Sequence, residues 1–225
     1  LGLVMKFSRS AAVLAALLMT LSWPHLKYSM EARGYGITIF LVLLVIFSAI
    51  QLLNNSRWVW GGVLIGSGFA ITMALPSNLF FLGSLPIFTI MGGWFESEKN
   101  RLNFKRLFWI AIPQLIMFAL IAVYFLVIYE QLKYGKDIQP QSLDGARAKE
   151  IVELLVAPWG FSIYLFFAIG VRKLRGIRER IIFASIFLIP MSLTFVTGVV
   201  GYARIYVYWI PFVLFLSAYG MTEVI

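Results

Sequence analysis

The chain contains no cysteine, which excludes disulfides, thiolate metal sites and cysteine nucleophiles together. It holds a single histidine, His25, so no multi-histidine cage can form and carboxylates are left as the plausible metal ligands. Acidic residues are scarce, ten against nineteen basic ones, and charged residues of both signs fill only 13% of the 225 positions. No Walker loop, GxSxG elbow, HExxH or dinucleotide fingerprint occurs, so soluble-style nucleotide chemistry has no support. Low-complexity tracts and 20-to-50-residue repeats are also missing.

What is present is apolar: 61% of the side chains, with a mean hydropathy of +0.88, a membrane rather than a soluble composition. The net charge of +9 then belongs to cytoplasmic loops and anionic headgroups rather than to nucleic acid. Eight apolar segments follow one another, at residues 10–23, 36–53, 58–75, 79–95, 107–129, 156–171, 181–200 and 205–222. A helix needs about 20 residues to cross a hydrocarbon layer of about 30 Å. The expected fold is therefore all-α, a polytopic transmembrane helical bundle of about eight spans forming one domain over residues 1–225. The first and sixth segments are short for that task. Prolines inside the segments (Pro86, Pro113, Pro190, Pro211) predict kinked helices.

Lys6 and Arg9 ahead of the apolar run from Ala11 to Leu21 imitate a signal peptide, but Trp23-Pro24-His25 is no small-residue cleavage site, and a first span is the simpler reading. The start at Leu1 without a methionine and the stop soon after an apolar run read as a fragment of a longer polytopic protein, with Met5 as an alternative start.

If the segments alternate in direction, one set of connections carries twelve of the nineteen cations: Lys6, Arg9, Arg57, Lys99, Arg101, Lys105, Arg106, Arg172, Lys173, Arg175, Arg178 and Arg180. The short connections of the other set carry three, Lys27, Arg33 and Arg204. The positive-inside rule makes the first set cytoplasmic, together with the first residue. Within it, residues 96–106 and 172–180 read as short basic stretches against anionic headgroups, serving topology and anchoring. The non-cytoplasmic face receives residues 24–35, 75–78, 130–155 and 201–204. Residues 130–155 form the one long loop, irregular around Lys136 to Gly145, with a short amphipathic helix at Ala146 to Leu155.

Three polar spots fall on that face. The first runs from His25 to Tyr35, where Glu31, Arg33, Tyr28 and Tyr35 have the donors and rings to hold a phosphate or a sugar, or else form an interfacial belt with Trp23. The second runs from Gly201 to Phe212, where Arg204 stands among Tyr202, Tyr206 and Tyr208 and either meets a lipid phosphate or snorkels. The third is Leu75-Pro76-Ser77-Asn78, whose Ser and Asn suit a sugar hydroxyl as well as they suit a plain turn.

At Ser22-Trp23-Pro24 and Tyr28-Ser29-Met30-Glu31-Ala32-Arg33-Gly34-Tyr35, at Trp60-Gly61-Gly62-Val63-Leu64-Ile65-Gly66, and at Arg204 through Pro211, the sequence resembles the GT-C superfamily of polyprenyl-phosphate-sugar-dependent membrane glycosyltransferases, in particular the bacterial relatives of the protein mannosyltransferases and the aminoarabinose lipid A transferase. Two departures stand out: Tyr206 follows Arg204 by two places rather than one, and Tyr208 replaces a proline. The resemblance implies a bacterial inner-membrane enzyme that moves a sugar from a polyprenyl-phosphate carrier to a lipid, glycan or protein acceptor at the outer face. It implies donor-phosphate binding by Arg204 and Arg33, with donor or acceptor contacts from Glu31, Tyr28, Tyr35, Asn78 and Tyr206. The family's catalytic carboxylate sits in an earlier outer loop, which would lie upstream of Leu1. No cofactor is identified beyond the lipid-linked donor, and a divalent metal is left open. The alternative is a non-enzymatic polytopic transporter, flippase or polysaccharide-assembly subunit.

Overall fold

The structure is a computed structural model that describes residues 8–30, 34–55, 57–94, 104–129, 160–174, 177–197 and 203–224. The long loop at 130–155, and most of the basic stretch at 96–106, lie outside them. Every regular element among the described residues is helical: α1 (Arg9–Leu21), α2 (Trp23–Met30), α3 (Tyr35–Asn55), α4 (Trp58–Ala74), α5 (Leu79–Leu82), α6 (Leu85–Trp94), α7 (Phe104–Val127), α8 (Gly160–Lys173), α9 (Ile177–Thr197) and α10 (Ile210–Thr222). Two 3-10 segments, Pro76–Asn78 and Ala203–Trp209, complete the set. Each of the eight apolar segments contributes at least one helix.

Three expectations need correction. Residues 24–35 are not a plain connection, because α2 fills most of them. Its start is capped by Ser22, whose Oγ accepts from the His25 amide at 3.2 Å. Residues 79–95 are not one continuous helix either: a turn at Gly83 and Ser84 divides α5 from α6. Pro86 and Pro211 then stand second in their helices, where no intrahelical N–H is missed, so they start helices rather than kink them. Pro113 and Pro190 do lie inside α7 and α9.

Two described stretches, Tyr35–Leu53 and Leu107–Val127, are long and apolar enough to cross a membrane; Arg9–Leu21, Trp58–Ala74 and Tyr206–Thr222 are apolar but shorter. The described helices alternate in direction. Phe47 meets Trp60 at a ring distance of 5.2 Å, which folds α3 and α4 into a hairpin. Trp58 against Trp109 (4.6 Å) and Phe69 against Tyr124 (5.8 Å) set α7 parallel to α4. Phe183 stacks on Phe215 at 5.7 Å and Phe187 meets Phe212, so α9 runs against α10. Leu18 and Met19, late in α1, pack beside Ile210 and Leu214, early in α10. One end of the bundle thus gathers Arg9, Arg57, Arg172, Lys173 and Arg180, while Lys27 lies at the other.

Three buried hydroxyls of α3 and α4 are satisfied within their own helices. Ser48 donates to the Val45 carbonyl at 2.8 Å, Ser67 to Val63 at 2.6 Å and Thr72 to Gly68 at 3.0 Å. The closest packing joins the parallel pair α8 and α10. Ser217 Oγ donates to the Ile163 carbonyl at 2.9 Å, and Lys173 pairs with Glu223 at 3.8 Å. A β-carbon at Gly170 would collide with the Leu216 carbonyl oxygen, and one at Gly220 with that of Phe166, so backbone lies directly on backbone.

Substituting Gly170 or Gly220 with leucine is expected to lower stability by at least about 1–3 kcal/mol, the usual cost of overpacking. Gly66→Ala, at a position with open space around it, should leave the melting temperature unchanged, and circular dichroism melts of the three variants in detergent check both expectations.

Candidate functional site

The described parts of the three polar spots meet at one end of the bundle, opposite the cation-rich end. Gly34 makes the first join. It sits at φ +76, a left-handed conformation that glycine adopts without strain, and lets the chain turn into α3. The side on which a β-carbon would project faces Ala74, 3.6 Å from its carbonyl oxygen, which brings the start of α3 against the end of α4.

Asn78 makes the second join. Leu75 is extended, Pro76 opens the 3-10 turn, and Asn78 arrives fully buried beneath it. Its Nδ2 donates to the Ile71 carbonyl at 3.0 Å and to Thr38 Oγ1 at 3.4 Å. The first bond adds a second donor to a carbonyl that already accepts the Leu75 amide at 3.1 Å, and the second ties the end of α4 to α3. Its Oδ1 is buried without a hydrogen-bond partner.

The 3-10 segment Ala203–Trp209 makes the third, packing against α2 and α3. Val207 is wholly buried in a cluster with Tyr35, Ile39, Ile210 and Leu214, against which Leu18, Met19 and Leu75 also pack. Trp209 Nε1 donates to the Ile186 carbonyl at 3.1 Å, which fixes the segment to α9. Tyr206 lies 4.8 Å from Trp209 and Tyr208 5.3 Å from Phe81, ring centre to ring centre. The Tyr208 hydroxyl is buried with no partner.

Tyr35, Asn78 and Tyr206 therefore belong to one contiguous region, and all three are buried. Tyr28 is placed in α2 and Arg204 in the 3-10 segment by their backbones, their side chains lying outside the description. Glu31 and Arg33 lie outside the described residues altogether. Sequence reasoning passed over Thr38 and noted Tyr208 without giving it a site role. The signal for Thr38 was a hydroxyl one turn beyond Tyr35 in an apolar run; for Tyr208 it was its place among three tyrosines. A buried pair deeper in the bundle, Gln114 donating to Thr89 Oγ1 at 3.2 Å, was equally unmarked.

Chemically, the region combines neutral hydrogen-bonding groups with several aromatic rings beneath a backbone segment that carries an arginine. Among the described residues, no three His, Asp or Glu side chains come together to hold a metal ion. No family model, no curated protein and no solved structure matches the chain.

Asn78→Ala should cost about 1–3 kcal/mol, because it removes the buried side-chain bonds that tie the end of α4 to Thr38 of α3. Tyr208→Phe removes a hydroxyl that the fold does not bond and should hold or raise the melting temperature. Partial burial at α2 also holds His25 below its ordinary pKa by disfavouring the charged ring. The folded state then binds that proton less readily than the unfolded one. The contribution of His25 to stability is accordingly present above the ordinary imidazole pKa and lost as the pH falls below it. Imidazole chemical shifts followed across pH 5 to 8 check the direction.

Proposed function

We propose that the chain is part of a polytopic membrane glycosyltransferase that moves a sugar from a polyprenyl-phosphate carrier to an acceptor at the outer face of a bacterial inner membrane. The observation that carries the reading is the convergence of residues 24–35, 75–78 and 203–209 at the end of the bundle opposite the described cations Arg9, Arg57, Arg172, Lys173 and Arg180. Three stretches far apart in sequence, two marked by aromatic residues and the third by Ser77 and Asn78, reach the same place.

Insertion in a membrane, with the eight helical segments as spans, is supported by what α7 leaves uncovered. Only 28% of the apolar window in Leu107–Val127 is buried, and Phe108, Leu115, Val123, Leu126 and Val127 are all more than half exposed. A core helix of a soluble protein buries such a run, whereas a lipid-facing one presents it. The five cations at the other end agree with a cytoplasmic side there.

On this reading Arg204, with Arg33, binds the donor phosphate and stabilises the negative charge that grows on it as the glycosidic bond breaks. Tyr28, Tyr35 and Tyr206 line the same end with rings suited to a sugar face, and Glu31 and Asn78 supply polar contacts or hold their neighbours in place. Inversion at the anomeric carbon follows from attack by an acceptor hydroxyl activated by a carboxylate. The transporter, flippase or assembly-subunit reading calls for ionisable groups deep in the bundle. Among the described residues every buried polar side chain is uncharged, which favours the transferase.

Arg204→Ala is expected to reduce transfer from a polyprenyl-phosphate-linked sugar by about 100-fold or more, the loss typical of removing one charge-stabilising donor. Membrane content of the variant should match the parent. Near-normal turnover in a variant that inserts normally overturns the assignment.

A further inference from the structure

A separate feature lies on the side of the bundle between α1, α3, α9 and α10. There a cavity of about 350 Å³ is lined by Ala12, Ala15, Ala16 and Met19 of α1, by Ile46, Phe47 and Ile50 of α3, and by Ile182, Phe183 and Phe212 among others from α9 and α10. Thr20 is the sole polar side chain in the lining, and its hydroxyl already donates to the Leu17 carbonyl at 2.8 Å. The alanines of α1 create the space, since a larger side chain at Ala16, an exposed position, would occupy it.

Two features specify an occupant. Leu43, which lines the cavity, is 41% exposed, and Val13, Leu17 and Phe40 beside it are each more than half exposed, so the opening lies within an apolar collar. The lining runs along α1 from Ala12 to Thr20, about 12 Å at 1.5 Å per residue, most of one hydrocarbon leaflet of about 15 Å. Its Ala12 end is flanked by arginines. Arg9 stands one helical turn before Ala12 and is exposed, and Arg180 stands two residues before Ile182, exposed and held through its Nε to the Leu174 carbonyl at 3.1 Å. An apolar slot of leaflet depth with exposed arginines on α1 and α9 within a turn of its Ala12 end suits the two halves of an anionic phospholipid.

We propose that this groove is a binding site for one anionic phospholipid of the leaflet at the cation-rich end, its acyl chain along the alanine face of α1 and its phosphate at Arg9 and Arg180. The site is distinct from the proposed sugar-transfer site, at the opposite end, and rests only on the membrane part of that reading. It assigns α1 a stabilising lipid as its partner across the gap left by its small residues.

The full chain purified in a neutral detergent is titrated with phosphatidylglycerol, with phosphatidylcholine of identical acyl chains, and with glycerol phosphate, reading retained lipid by native mass spectrometry and the melting temperature in parallel. One phosphatidylglycerol should be retained at least ten-fold more tightly than phosphatidylcholine and should raise the melting temperature, while glycerol phosphate does neither. The double variant Arg9→Ala and Arg180→Ala should erase the ten-fold preference, and Ala16→Trp should abolish retention of both lipids with unchanged helicity. Equal retention of the two lipids, or retention that survives Ala16→Trp in a folded protein, overturns the site. A shift produced by glycerol phosphate alone would assign the arginines to a free phosphate and overturn the lipid as occupant. A chain that stays soluble without detergent overturns the membrane reading instead, which separates the two failures.

Discussion

Where the surface of a helix is apolar, water does not reach its backbone, and each N–H and carbonyl has to be bonded from within the chain. That requirement organises this structure. All regular elements of the described residues are helices, and the buried hydroxyls of Ser48, Ser67 and Thr72 return to carbonyls of their own helices instead of reaching for solvent. Prolines, which lack the N–H, begin α6 and α10 at positions where none is needed. Where the helical ladder is broken in the interior, a side chain fills in: Pro190 has no N–H for the Ile186 carbonyl of α9, and the Trp209 indole donates to it instead.

The same requirement explains how the outer end of the bundle is built. The described chain reversals there are not loose loops, whose polar atoms would be stranded among apolar neighbours. They are instead short and tight: a glycine at φ +76, a three-residue 3-10 turn, and the longer 3-10 segment that leads into α10. Of the three buried polar atoms left without a partner among the described residues, two, Asn78 Oδ1 and the Tyr208 hydroxyl, lie where the three reversals touch, and the third is the Tyr164 hydroxyl of α8.

The sequence made much of this legible, because apolar run length and bounding charge are one-dimensional signals. All eight runs proved to contain helix, and the cations of the described residues divide between the two ends as alternation required. What sequence could not place were breaks decided by local geometry. The Gly83 and Ser84 turn interrupts a run whose hydropathy never falls, and α2 forms in a polar stretch because Ser22 caps it. The convergence of the site was half legible: alternation put residues 24–35, 75–78 and 201–204 on one face, but no pattern could foretell a bond across forty positions from Asn78 to Thr38. Arg33 and Glu31 were selected for their chemistry, and their positions lie outside the described residues.

The contact of α10 with α1 has a bearing on how the protein comes to be assembled. Synthesis runs from the N-terminus, so α1 emerges first of the described helices and α10 last, yet the final arrangement places them side by side. Until residues 210–222 leave the ribosome, α1 lacks its neighbour, and Gly170 on α8 has no backbone to lie against. Completion of α10 closes both interfaces in one event. Among the described helices α10 thus covers both, and a nascent chain halted before it holds α1 and α8 as waiting, half-covered surfaces suited to recognition by insertion chaperones or quality-control proteases.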